Sequence, residues 1–167
     1  MEIRGARRED WEQIWPFLRA IVAAGETYAY DPEMSEDEAR RIWMVGPPGA
    51  TFVAVEEERV VGSANAYANR AGPGSHVASA SFMVDPAAAG RGVGRALGER
   101  VIEWATEQGF LAMQFNAVVE SNLSAVALWT KLGFEIIGTV PRAFRLPDGT
   151  HVGLHVMYRR LDSAQSA

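Results

Sequence analysis

The segment Ala89-Gly90-Arg91-Gly92-Val93-Gly94 constrains this chain more than any other. It stands between an apolar run, His76 to Val84, closed by Asp85-Pro86, and a run in which Val93, Leu97, Val101 and Trp104 recur on one helical face before Gly109. A strand that turns through glycines directly into a helix leaves the first helical N–H groups without partners. Glycine lets the backbone approach phosphate oxygens with no Cβ in the way, and the helix dipole favours negative charge there, so the turn is a ready anion site. Arg91 and Arg95 add charge-assisted donors. A dinucleotide fingerprint would need glycine at position 95 or 97, where Arg95 and Leu97 stand, and a nucleoside-triphosphate loop would need lysine and a hydroxyl after Gly94, where Arg95-Ala96 follows. Both readings fail. A glycine-rich turn that holds no ligand stays open on this segment alone.

Strands and helices alternate around that turn. Ile3 to Ala6 reads as a short strand, after which Asp10 can cap a helix carrying Ile14, Phe17, Leu18, Ile21 and Val22 at helical spacing, with Pro16 kinking it or marking its true start. Ser35 and Glu38 form a capping box for a second helix that ends before Gly46-Pro47-Pro48-Gly49. Thr51 to Val55 and Val60 to Tyr67 form a hairpin across a solvated Glu56-Glu57-Glu58-Arg59 turn. Beyond the glycine turn come a strand over Ala112 to Val119, a helix over Ser121 to Leu132 stopped by Gly133, and two strands, Phe134 to Val140 and Val152 to Tyr158, around Pro147-Asp148-Gly149. The expected fold is mixed α/β, one sheet with flanking helices. No repeat or linker divides it, so residues 1–161 are expected to form one domain and residues 162–167 a short tail.

Composition narrows the function. With 48% hydrophobic and 22% charged residues the 167-residue chain is of globular type, and with no cysteine it carries neither disulfides nor a thiol nucleophile. A net charge of -5 gives no overall attraction to phosphate backbones, so nucleic acid is not the expected partner. The first ten residues are charged throughout, and no stretch approaches a membrane span, so a cytoplasmic protein with no membrane partner is expected. His151 and His155 share a strand face but lack a third ligand, which favours a solvated pair over a metal site.

The turn also reads Ala89-x-x-Gly92-x-Gly94, which resembles the acyl-coenzyme A pyrophosphate loop, [QR]-x-x-G-x-[GA], of the GNAT N-acetyltransferases. Ala89 departs from the long polar residue at the first position. About thirty residues on, Asn122, Ala125, Leu128, Trp129, Lys131, Gly133 and Phe134 match that family's N-x-x-[AS]-x-x-[LF]-[YW]-x-[KR]-x-G-F segment. The resemblance covers roughly His76 to Val140. It implies the GNAT fold, about seven strands and four helices, with two parallel central strands that splay so that pantetheine inserts like a false strand. It also implies acetyl-coenzyme A (acetyl-CoA) as cosubstrate. Phe82, Met83 and Val84 would offer backbone groups to pantetheine, and Gly90, Arg91, Gly92, Val93, Gly94 and Arg95 would hold the pyrophosphate. Asn122, Ala125 and Trp129 would line the cofactor arm.

The implied chemistry is direct attack of an amine on the acetyl thioester. A backbone N–H near Val84 or Met83 would stabilise the oxyanion. Many relatives place a proton-donating tyrosine where this chain has Trp129, whose indole N–H is not acidic in this range. The base is open among Glu26, Glu120, His76 and water. The runs around Asn116 and Trp129 are similar to acetyltransferases of proline analogues and, in outline, to phosphinothricin acetyltransferases. That likeness implies a small amine or amino-acid acceptor met by Thr27, Tyr28, Asn69 and Asn116, the last also acting in catalysis. The aromatics of the Gly25 to Pro32 loop suit either a substrate lip or packing on the core. A coenzyme A-binding module without turnover is the competing reading, and a homodimer paired through the Val152 to Tyr158 strand is a further expectation.

Overall fold

The computed structural model describes residues 1–161, so the expected tail at 162–167 lies outside the described residues. Seven strands form one sheet in the order β1-β2-β3-β4-β5-β7-β6. They are β1 (Glu2–Gly5), β2 (Ala50–Glu56), β3 (Arg59–Ala68), β4 (Val77–Val84), β5 (Ala112–Val119), β6 (Glu135–Arg145) and β7 (His151–Arg160). Four helices accompany them: α1 (Trp11–Ala24), α2 (Glu36–Trp43), α3 (Val93–Glu107) and α4 (Leu123–Lys131). Neighbouring strands are antiparallel except β4 and β5, which run parallel because α3 crosses between them.

Alternation along the strands divides the core between two faces. Phe52, Ala54, Ala64, Ala66, Ala78, Met113 and Phe115 pack with Leu97, Val101 and Trp104 of α3. Val53, Val60 and Met83 pack on the other face with Trp11, Ile14, Leu18 and Val22 of α1 and with Trp43 of α2. β3 is covered on both sides, and its buried Ser63 and Asn65 both bond to Trp43. Ser63 Oγ accepts from Trp43 Nε1 at 2.9 Å, and Asn65 Nδ2 donates to Trp43 O at 3.2 Å. Together they tie the C-terminal end of α2 to the sheet. The β2–β3 turn places Glu57 and Glu58 both at positive φ, the primed geometry that suits the strand twist.

The expected Ser35–Glu38 capping box is present, with Ser35 accepting from Glu38 N. The expected cap at Asp10 is not. Its carboxylate makes no bond to the start of α1 and instead receives both guanidinium nitrogens of Arg4, while Pro16 lies inside α1 rather than at its start. Strand β7 also differs in place from the expectation that it pairs across a dimer. It is bonded to β5 on one side and β6 on the other, so it presents no open edge.

Candidate active site

β4 and β5 pair only at Val77↔Ala112 and Ala78↔Met113, and beyond those residues the strands part. β5 helps to open the gap. Its register with β7 breaks between Phe115 and Val118, a bulge that re-aims Asn116 and Ala117 out of the ladder. The resulting cavity, of about 880 Å³, runs from the glycine turn along the parted strands to the loop after α1.

Alternation decides which backbone groups of β4 face the gap. Asp85 N donates to Val61 O at one end of the β3–β4 pair and Asn69 N to Val77 O at the other. Odd-numbered residues therefore bond to β3, and Met83, paired with Ser63, spends its backbone there. That corrects the expectation of a backbone contact from Met83, whose side chain is buried against α1 and α2. Phe82 and Val84 point their N–H and C=O groups into the gap. Phe82 has a partner for both: its N–H donates to Tyr28 Oη at 2.9 Å, and Tyr28 O–H donates to Phe82 O at 2.6 Å. Burial pushes the Tyr28 and Tyr30 phenols above their ordinary range, so both are neutral donors near pH 7.

The glycine turn sits at the other end. Gly90 and Gly92 take φ of 76° and 82°, and Gly92 is the N-cap of α3, so the N–H groups of the first helical turn are aimed at the cavity mouth. The exposed Arg91 pairs with the half-buried Glu56 and the exposed Arg95 with the exposed Glu99, so each guanidinium is held near the turn by a carboxylate. Asn122 caps α4, its Oδ1 accepting from Ala125 N at 3.2 Å, which is the local role its sequence position allowed. Asn122, Ala125 and Trp129 all line the cavity. Trp129 is 7% exposed and stands against Phe82 and Phe115, with ring centroids 4.5 and 4.8 Å away, so it forms an aromatic wall.

The end of the cavity away from the glycine turn combines hydroxyls and amides. Thr27, Tyr28, Tyr30, Tyr67, Ser79, Ser81 and Asn116 line it. Asn69 stands behind Asn116, accepting from its Nδ2 at 2.7 Å, and Gln114 Nε2 donates to Asn116 Oδ1 at 2.8 Å. Tyr67, Ser79, Ser81 and Gln114 carry no sequence reading as site residues. The serines follow a period of two along β4, a signal the sequence holds, whereas Tyr67 reaches the cavity from β3. Tyr28 and Tyr30 of the aromatic loop stack on each other with centroids 5.4 Å apart, pack on the core and border the cavity.

None of the three side-chain candidates for the base, Glu26, Glu120 and His76, lines the cavity. Among the described residues no carboxylate and no histidine lines the cavity, and its charged residues, Arg95 and Lys131, lie toward the glycine-turn end. Glu120 instead accepts from Gly153 N at 2.7 Å, at the β5–β7 junction. His155 Nδ1 is 2.7 Å from Thr139 Oγ1. A second depression of about 890 Å³ between α3, α4 and β7 meets the first at Arg95 and Lys131 and carries mixed charge.

A model of the acetyltransferase (GNAT) family matches residues 11–134. Among solved structures, a GCN5-related N-acetyltransferase from Kribbella flavida aligns with a TM-score of 0.92 and 59% identity, over 95% of this chain and 96% of that one. A GNAT superfamily phosphinothricin acetyltransferase from Sinorhizobium meliloti, solved in complex with acetyl-CoA, aligns at 0.88 and 27% identity over 99% of this chain and 91% of that one. In sequence, the N-acetyltransferase aca1 of Schizosaccharomyces pombe is 26% identical over 145 residues, 78% of this chain and 69% of that protein. The parted parallel strands, the glycine turn and these matches agree, and the chain belongs to the GNAT family of N-acetyltransferases.

Proposed function

We propose that the protein transfers the acetyl group of acetyl-CoA to the amine of a small molecule, an amino acid or a close analogue. The observation that carries this reading is the single cavity that joins an anion-binding turn to an amide- and hydroxyl-lined end along the parted edge of β4. The acetyl-CoA complex of the Sinorhizobium meliloti relative supports the cosubstrate. In this reading Gly90 to Arg95 hold the pyrophosphate, and Val84 offers its gap-facing N–H and C=O to pantetheine. Asn122, Ala125 and Trp129 line the arm. The thioester is the end farthest from the pyrophosphate, so it lies deeper along β4, at Phe82, next to Thr27, Tyr28 and Asn116.

The chain's own residues then have distinct tasks. Backbone N–H groups of β4 stabilise the charge that develops on the thioester oxygen, a preorganised donor of the kind that supplies most in acyl transfer. Asn116, oriented by Asn69 and Gln114, positions the acceptor, its amide able both to donate to a carboxylate and to accept from an amine. With no carboxylate or histidine in the lining, water takes the proton from the ammonium. The absence of a membrane-crossing helix among the described residues is compatible with a cytoplasmic setting, which belongs to the same proposal, as does pairing into a homodimer.

The test is thiol release from acetyl-CoA with a panel of amino acids, proline analogues, phosphinothricin-like acids and polyamines. Turnover confined to one small class supports the reading. Saturable acetyl-CoA binding with no thiol release from any of them favours the module without turnover, and no binding at all refutes both.

A further inference from the structure

Phe82 lies on the stretch of β4 beyond Ala78 where no β5 residue pairs with it, and its gap-facing N–H and C=O would be orphaned there without a partner. One side chain takes both. The Tyr28 hydroxyl reaches from the loop after α1, 54 residues away in sequence, and bonds to the two groups at once. Tyr28 is fixed for this by stacking on Tyr30 and by an edge contact with Trp43, 6.4 Å between centroids. Such a hydroxyl stands where an acceptor of the Phe82 N–H must stand, 2.9 Å from the nitrogen. On the proposed function, that acceptor is the thioester oxygen.

We propose that Tyr28 is a catalytic residue whose hydroxyl, displaced from Phe82 by the incoming thioester carbonyl, turns its proton onto that oxygen and forms with the Phe82 N–H a two-donor oxyanion hole. The amine lone pair forms the N–C bond, and the carbonyl π pair moves onto oxygen, where it meets Phe82 N–H and Tyr28 O–H. When the pair returns, the C–S bond breaks and the coenzyme A thiolate leaves. The proton lost by the amine reaches the sulfur through water, and Tyr28 keeps its own proton throughout. A phenol that burial keeps neutral suits this task, because it donates to the oxyanion without ionising. This gives the chain a neutral O–H donor at the thioester oxygen, beside the Phe82 N–H.

The inference rests on the proposed acetyl transfer, and hydrolysis of acetyl-CoA by water separates the two, because it passes through the same oxyanion and needs no acceptor. Tyr28→Phe in the full chain is expected to lower the maximal rate of hydrolysis on the order of 100-fold, as removal of one oxyanion donor does. Acetyl-CoA affinity measured by calorimetry is expected to stay equal or to tighten, since no hydroxyl has to be displaced. A folded Tyr28→Phe protein that hydrolyses at the wild-type rate overturns the inference, as does one that loses only acetyl-CoA affinity. If the wild type itself does not bind acetyl-CoA, the underlying reading has failed instead. Trifluorotyrosine installed at position 28 keeps the hydroxyl and its anchoring but makes the phenol more acidic. The alkaline loss of activity should then move to lower pH, and an unmoved profile overturns the inference even if Tyr28→Phe does not fold.

Discussion

Asn116 Nδ2 donates to Asn69 Oδ1 at 2.7 Å, linking the bulge of β5 to the chain just beyond β3 at the end of the cavity away from the glycine turn. Gln114 holds the other atom of the same amide. An amide fixed at both ends presents one orientation to an acceptor, which reduces the ordering cost of binding. Asn116→Ala is therefore expected to lower kcat/KM for the acceptor about 10-fold, the worth of one or two hydrogen bonds to it. Acetyl-CoA affinity should be unaffected. Steady-state kinetics with each substrate varied in turn separates the two, and equal losses for both would remove Asn116 from the acceptor pocket.

Gly92 joins a φ of 82° to an open surround, with nothing within 4 Å of the place a Cβ would take. A substitution there meets backbone strain but no collision, at a cost of about 1–2 kcal/mol for a left-handed residue. Gly92→Ala and Gly92→Asp share that strain, and only the second adds a negative charge at the N-terminus of α3. Acetyl-CoA titrations should show a modest loss for Gly92→Ala and no measurable binding for Gly92→Asp, with both proteins folded. Equal affinities for the two would show that charge at this turn is irrelevant and that the pyrophosphate lies elsewhere.

The glycine turn and the α4 motif were legible because each packs its information into a few adjacent residues, and the helix faces because their periodicity is long. The split between Phe82 and Met83 was not, since it depends on which β4 residues bond to β3, a register no local pattern carries. Tyr28 was visible as a loop residue of two possible roles. Its grip on Phe82 arises from a 54-residue separation that only the tertiary fold closes. Asp10 illustrates a tertiary override: its position before α1 suits a cap, yet Arg4, brought beside it by β1, competes better because the pair is charged and bidentate. The placement of β7 inside the sheet escaped for a similar reason, because chain order gives two final strands but not which of them takes the edge.

Gly98 provides a packing test on the cofactor side. A Cβ at this position would lie 2.7 Å from Leu132 Cδ1 and 3.1 Å from Trp129 Cζ3, so α3 and α4 approach each other across a missing side chain. Gly98→Val should push both neighbours and destabilise the protein by about 1–3 kcal/mol, the usual cost of overpacking. Because Trp129 also walls the cavity, acetyl-CoA affinity should fall with it. Gly98→Ala should show the same two effects in smaller measure. Thermal unfolding and calorimetry on both variants check this, and stability lost without any change in affinity would detach the Trp129 wall from binding.

Arg4 grips Asp10 through both oxygens, Nη1 to Oδ2 at 2.7 Å and Nη2 to Oδ1 at 2.8 Å, and Arg7 N adds a third bond at 2.6 Å. Asp10 is 4% exposed. The Arg4 hydrogen bonds, ahead of the backbone bond from Arg7, hold its carboxyl below the ordinary carboxylate range although burial opposes them. A carboxyl whose pKa falls on folding stabilises the protein above its unfolded value, about 3.9, and loses that contribution as the pH drops toward the lower folded value. Asp10→Asn should thus cost about 2 kcal/mol at neutral pH, where it leaves a half-buried guanidinium without its counter-ion. The difference between the two proteins should shrink as the pH falls below about 4, because the unfolded wild-type chain then takes up a proton at Asp10 that the folded one accepts only at lower pH. Thermal unfolding of both at neutral and acid pH reads this directly, and a gap independent of pH would assign the loss to packing rather than to the ion pair.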